Sequence, residues 1–444
     1  MPLSTGSRLG PYEITAPLGG DAAQRSSVLF ERREGHVVHQ MSRRSLLQFV
    51  PLALAAPVIA QSPSPPKPFT VNVAQATLDR ILRRVRDARL PDRLDAPDWR
   101  YGANWDYMQS LVEYWATRFD WRKAEANLNR FPQFMARVGD FDVHFYHVKG
   151  RGPRPLPLIL THGWPGSVFE FLEAIGPLTD PASFGGSADD AFDVVVPSIP
   201  GFGFSSKPTR PIGPPTIARL WHRLMTDVLG YSKFGAQGGD WGYAITRALA
   251  AEFPGSLVGI HLNNSGAVTI PDSELSDEER AWQAASVAYR EREGDYAREH
   301  RQKPGTVAFA LHDNPVGTAA WIVEKFKVWS DSGEDIERAF TKDQLLTNVM
   351  IYLVTDTAGT AVWIYRGAID DPPRVPPGQK LTVPVGFASF PAEMTTLHPP
   401  RSLLERSYNL VHYTRMPRGG HFACLEQPQL FVEDVRQFFR TVRG

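Results

Sequence analysis

The stretch Gln237-Gly238-Gly239-Asp240-Trp241-Gly242 sets an aspartate among small residues, between the strand-like residues 233–236 and a helical run over 243–253. In a strand–turn–helix elbow of the form G-x-Nu-x-G, the flanking positions stay small because neighbouring backbone passes close. The central residue accepts a strained φ/ψ. A carboxylate there, with a reference pKa of about 3.9, is ionised at neutral pH and attacks without the base a serine hydroxyl needs. It suits attack on saturated carbon, where a serine would end as a stable ether but an aspartate ends as an ester that an activated water can hydrolyse. The plain alternative is a Gly-rich loop whose Asp240 caps the next helix.

An ester on Asp240 needs a base for its hydrolysis and a group to orient that base. His421, in Arg418-Gly419-Gly420-His421-Phe422, follows the last strand-like segment, and the glycines before it let a loop bring the imidazole close. A histidine in such a loop is more often solvent-facing; its place in the strand order is what marks this one. Glu393, in Phe390-Pro391-Ala392-Glu393 at the end of the preceding strand, is the expected orienter of His421. Asp370, Asp371 and Glu405 compete for that role, although none immediately follows a strand end. His162-Gly163-Trp164-Pro165 supplies further backbone, and the N–H groups of Trp164 and Trp241 could form an oxyanion hole. His162 itself reads as a loop brace. Nucleophile, then acid, then histidine is the chain order of an α/β-hydrolase.

The elements that must position these residues alternate. Residues 69–73 suggest a short strand, followed by a basic helix with Leu78, Ile81, Leu82 and Val85 on one side and Arg80, Arg83, Arg84 and Arg86 as a solvated face. Residues 99–134 are rich in aromatics that read as core, with an amphipathic helix over 107–118. Residues 138–148 alternate as a strand. Short apolar runs at 158–160, Phe192–Pro197 and Leu257–Leu262 read as buried strands, with a helix over 216–229 between them. Strands alternating with helices imply a mainly parallel sheet covered on both faces, an α/β class. Residues 265–377 then carry helical runs and no convincing strand, which places a helical cap over the strand ends, where such sheets bind ligands. The sheet resumes at Leu381–Ser389 and 409–416, and a last amphipathic helix covers 429–442.

The resulting organisation is a leader over 1–40, a signal-like segment and linker over 41–68 and an N-terminal region over 69–150. Core halves over 151–264 and 378–444 flank the cap. Arg8-Leu9-Gly10-Pro11-Tyr12-Glu13-Ile14 resembles the opening of bacterial serine/threonine kinases, but no Gly-rich phosphate loop or V-A-I-K follows. Ser42-Arg43-Arg44-Ser45-Leu46-Leu47-Gln48 and the apolar run to Ala60 resemble a twin-arginine export signal, implying export if translation starts at Met41 and a cytoplasmic protein otherwise. That run is short for a membrane span and contains Pro51 and Pro57, so no stable span is expected. With 48 basic and 48 acidic residues in 444, and no basic tract, nothing points to a nucleic-acid partner. One cysteine, Cys424, excludes an intrachain disulfide and a cysteine-cluster metal site.

From about Phe69 onward the sequence resembles the epoxide hydrolases of the microsomal type. The resemblance is carried by His162-Gly163-Trp164-Pro165-Gly166-Ser167, Pro200-Gly201-Phe202-Gly203-Phe204-Ser205, Gly238-Gly239-Asp240-Trp241-Gly242, Phe390-Pro391-Ala392-Glu393 and Arg418-Gly419-Gly420-His421-Phe422. It implies an α/β-hydrolase fold with a helical cap and N-terminal extension, Asp240 as nucleophile, His421 as base and Glu393 as its partner. It also implies two cap tyrosines that hydrogen-bond the epoxide oxygen, by position Tyr296 and Tyr365. The stretch around Tyr365, Ala361-Val362-Trp363-Ile364-Tyr365-Arg366-Gly367, is less polar than is usual in that family. Tyr289 and Tyr352 read as packing residues. The implied partners are a small-molecule epoxide and water, with no metal or organic cofactor. Haloalkane dehalogenases share the Asp-Trp-Gly elbow and the ester, but need halide-binding donors in place of phenols. A silent binding protein on the same fold is the remaining class, and all the triad residue types present here argue against it.

Overall fold

Short runs of leucine and β-branched residues become the strands of one sheet in a computed structural model that describes residues 8–9, 12–14, 30–31, 65–96, 98–264, 270–372, 380–393 and 398–443. The chain forms two compact units, Met1–Ser62 and Pro63–Gly444. In the first, Arg8–Leu9, Tyr12–Ile14 and Phe30–Glu31 pair as a small antiparallel sheet. The export-signal-like residues 41–60 and most of the leader lie outside the described residues.

The second unit is built on nine strands: β1 (Lys67–Phe69), β2 (Gln133–Val138), β3 (Phe141–Val148), β4 (Leu156–Thr161), β5 (Phe192–Pro197), β6 (Phe234–Gly238), β7 (Leu257–Leu262), β8 (Leu381–Ser389) and β9 (Tyr408–Arg415). Their order is β9-β8-β7-β6-β4-β5-β3-β2-β1. From β5 to β9 neighbours are parallel, while β3, β2 and β1 extend the sheet antiparallel. Every residue of β5 is buried, as a strand covered on both faces must be. Phe438 and Phe439 of the C-terminal helix Pro428–Val442 pack directly onto Gly235, Gly259 and Gly386. The helix Asp240–Glu252 packs against β4, β6 and β7, and the helix Pro214–Arg223 packs against it.

The first strand differs from expectation. It ends at Phe69, and the Val71 N–H turns away to the Asn129 side chain at 2.9 Å. Residues 138–148 are not one strand, because Val138 ends β2 and the chain reverses through Gly139-Asp140 into β3. The two-residue turn pairs Val138 with Phe141, so the alternation shifts by one residue at Gly139-Asp140. The N-terminal helices Gln75–Arg86, Trp105–Thr117 and Trp121–Leu128 bury Trp115 and Trp121, as read. Arg80 and Arg84, however, are more than a solvated face. Arg80 reaches Asp313 at 2.6 Å and Asp356 at 3.5 Å, and Arg84 reaches Asp313 at 3.3 Å, tying this region to the cap.

Between β7 and β8 the described residues are helical, with no strand among them. Asp277–Glu293 and Lys342–Val354 open on capping boxes, Ser276 with Glu279 and Thr341 with Gln344, which satisfy donors at the helix start. Among the described residues, no single helix is long and apolar enough to cross a membrane.

Candidate active site

Strand β6 ends at Gly238, and Asp240 begins the next helix with φ at +47°, a left-handed conformation that few non-glycine residues adopt. The turn is tight enough that a Cβ on Gly242 would lie 1.9 Å from the Thr161 carbonyl oxygen. A Cβ on Gly163 would lie 2.2 Å from Asp240 Oδ1. With no side chain at 163, the loop after β4 closes on the carboxylate, and the Trp164 N–H donates to Asp240 Oδ1 at 2.8 Å. Tyr243 N makes the first ladder bond of the elbow helix, to Gly239 O, so the Trp241 N–H stays outside that ladder. Asp240 is thus held at a helix N-terminus, where the dipole favours negative charge. His162 braces this loop, its Nδ1 3.0 Å from Gly163 O and its Nε2 accepting from Ile199 N at 3.2 Å.

The other carboxylate oxygen, Asp240 Oδ2, lies 3.2 Å from His421 Nε2. His421 Nδ1 is 2.9 and 3.1 Å from the two oxygens of Glu393. A bridge between Ala392 and Gly420 aligns the two loops that carry this pair. The His421 N–H donates to Trp329 O at 2.8 Å, and the Asn264 side chain donates to Glu393 Oε1 at 2.8 Å. Burial alone would lower the His421 pKa, but the carboxylates of Glu393 and Asp240 outweigh it and hold the imidazole well above the ordinary histidine range.

The cap brings Tyr296, on helix Asp295–Gln302, and Tyr365, on helix Trp363–Asp370, over the carboxylate. Tyr296 stacks on Trp164 with ring centroids 5.4 Å apart, and Tyr365 meets Trp241 edge-on at 4.7 Å. The two tyrosine rings meet edge-on, with centroids 5.9 Å apart. Burial and the charge of Asp240 push the Tyr296 phenol up; burial, Tyr296 and Asp240 do the same for Tyr365. Both therefore stand as protonated donors beside an anion. The departure from family composition around Tyr365 does not move it out of the site.

The competing carboxylates are engaged elsewhere. Asp371 accepts from Thr216 N at 3.0 Å and Thr216 Oγ1 at 2.7 Å, Asp370 pairs with Arg366 at 2.8 Å, and Glu405 with Arg401 at 2.7 Å. Tyr352 donates to Gly166 O at 2.5 Å, and Tyr289 packs against the core beneath Arg292. Asn264, Trp329 and Glu170 stand around the triad without a sequence signal of their own. Among the described residues no group of three or more His, Cys, Asp or Glu is arranged to hold a metal.

Comparison with known proteins converges on one family. Residues 66–171 match the epoxide hydrolase N terminus and residues 157–311 the alpha/beta hydrolase fold. The chain is 36% identical over 410 residues to epoxide hydrolase 1 of Oryctolagus cuniculus, covering 85% of this chain and 89% of that one. It is 34% identical over 400 residues to juvenile hormone epoxide hydrolase 2 of Ctenocephalides felis, covering 83% and 84%. Among solved structures, the Aspergillus niger epoxide hydrolase superposes with a TM-score of 0.75 at 30% identity, covering 86% of this chain and 97% of that one. The juvenile hormone epoxide hydrolase of Bombyx mori gives 0.72 at 28% identity, covering 85% and 94%. A mainly parallel sheet, an aspartate elbow and this degree of likeness along most of the chain place the protein in the epoxide hydrolase family, an α/β-hydrolase-fold enzyme acting on epoxides.

Proposed function

We propose that Asp240 is the nucleophile of a two-step hydrolysis, with Tyr296 and Tyr365 as the acid pair, His421 as the base and Glu393 as its orienter. The reading is supported most by the division of labour on one carboxylate: Oδ1 takes the Trp164 N–H, while Oδ2 faces His421 under the tyrosine pair. In the first step Asp240 attacks an epoxide carbon, the ring C–O bond breaks, and a tyrosine proton passes to the developing alkoxide, which is otherwise a very poor leaving group. In the second, His421 takes a proton from water as the water oxygen bonds to the ester carbonyl carbon. The Trp164 and Trp241 N–H groups hold the oxyanion. Collapse releases the diol, His421 returns its proton to the leaving oxygen, and the Asp240 carboxylic proton restores the tyrosine. The rings of Trp164 and Trp241 pack against the two tyrosines, and the paired phenols near Asp240 support epoxide over halide recognition.

Purified enzyme given a styrene-type epoxide should yield the vicinal diol, and should release no halide from a bromoalkane. Asp240→Ala should abolish turnover. Residual activity within tenfold of wild type, only about 1.4 kcal/mol of barrier, would remove Asp240 from the chemistry.

We further propose export when translation starts at Met41. Replacing Arg43 and Arg44 with Lys should then hold the product in the cytoplasm, and an uncleaved cytoplasmic product from the unmodified Met41 start would contradict this.

A further inference from the structure

Hydrolysis of the ester needs a water aimed at a carbonyl carbon, and a single contact to His421 fixes its distance but not its direction. Beside the nucleophile lies a cavity bounded by Asp240, His421, Glu170, Asn263 and Cys424. It offers about 20 Å³ to the centre of a water molecule, where one water requires roughly 10–15 Å³, so it has room for a water. Buried waters persist where two to four polar groups meet them.

Glu170 has an ordinary structural role. Ser167-Val168-Phe169-Glu170 opens the helical turn Val168–Phe171, with Ser167 Oγ accepting from Phe169 N at 3.3 Å. Glu170 Oε1 turns back toward the start of this turn, within 1.5 Å of where a Cβ on Gly166 would stand. That arrangement is a cap. Oε1 faces Gly166, however, and the group also lines the cavity shared with Asp240 and His421.

We infer that Glu170 is the second contact of the hydrolytic water: its free oxygen accepts one hydrogen of the water whose other hydrogen goes to His421 Nε2. The water's lone pair then faces the ester carbonyl carbon of Asp240. The inference rests on the ester mechanism proposed above. Burial pushes the Glu170 carboxyl up to about 8; the His421 charge draws it down and the Asp240 charge raises it. A carboxyl carbonyl oxygen accepts a hydrogen bond in either protonation state, so the contact does not depend on the ionisation of Glu170. Glu170 exchanges no proton. One water O–H bond breaks toward His421, and the new C–O bond forms at Asp240.

Glu170→Gln separates this role from capping. Gln keeps the size of the side chain but exchanges one of the two acceptor oxygens for an N–H₂ donor. In quenched-flow single turnovers with a styrene-type epoxide, read by intact mass, ester formation should stay within about twofold of wild type. Ester breakdown should slow roughly 10–100-fold, the usual effect of losing a hydrogen bond to a charged group. Cys424→Val, which narrows the same cavity without touching the cap, should also slow breakdown alone, and carries the test if Glu170→Gln does not fold. Wild-type breakdown in a folded Glu170→Gln enzyme, or in Cys424→Val where that variant carries the test, or equal slowing of both steps, would overturn the inference. Absence of any ester in the wild-type enzyme would instead overturn the two-step mechanism itself.

Discussion

Asn348, buried on the cap helix Lys342–Val354, donates to the carbonyl oxygen of Pro165 at 2.8 Å and so hangs the loop that carries Trp164 from the cap. Ser167 Oγ donates back to Asn348 Oδ1 at 2.8 Å, and Tyr352 one turn later holds Gly166 O. The loop that aims the Trp164 N–H at Asp240 therefore takes its position from a segment nearly two hundred residues away in the chain.

Removing that tie should affect both folding and chemistry. Asn348→Ala leaves the Pro165 carbonyl without its donor, which should cost about 1–3 kcal/mol in urea unfolding. It should also slow both half-reactions, because the oxyanion donor is no longer fixed. Unchanged stability and rates would mean that the loop holds its own shape.

The tyrosines should matter before the ester forms. Tyr296→Phe and Tyr365→Phe should each slow ester formation by roughly 10²–10³, the usual effect of a lost oxyanion donor, and the double variant by more. Stopped-flow alkylation measures this directly, and a double variant that alkylates at the wild-type rate would remove both from the site.

His421 supplies a pH prediction. Its folded pKa is raised above the unfolded value of about 6.5, so its contribution to stability is fully present below pH 6.5 and is lost as pH rises through the folded value. In catalysis only the neutral imidazole is a base, so ester breakdown should climb with pH. Glu393→Gln removes the largest influence raising that pKa, and should shift the rising limb to lower pH while reducing the plateau rate. An unmoved limb would show that Glu393 does not tune His421.

Much of this was legible in the sequence because its signals are local. The apolar runs at Phe192–Pro197, Leu257–Leu262 and Leu381–Ser389 became strands with the same bounds, since buried parallel strands are written as continuous hydrophobic segments. Asp240, Glu393 and His421 followed strand ends and were brought together there. What escaped depends on tertiary contact. Arg80 looks solvated until Asp313 and Asp356 of the cap meet it, and Asn348 is one more residue of an apolar helix until Pro165 docks against it. Glu170 carries the spelling of a helix cap, which conceals that it lines the same cavity as Asp240.

The central claim is that one carboxylate attacks unaided and one histidine serves only the second step. His421→Gln tests it most directly. A serine-type hydrolase needs its histidine in both steps, but here alkylation should proceed and hydrolysis should stop. Intact-mass spectrometry after mixing with an epoxide should show the enzyme heavier by one substrate, and peptide mapping should place that mass on the peptide containing Asp240. A folded His421→Gln enzyme that neither turns over nor gains mass would show that the histidine acts before the covalent step, and would contradict the mechanism.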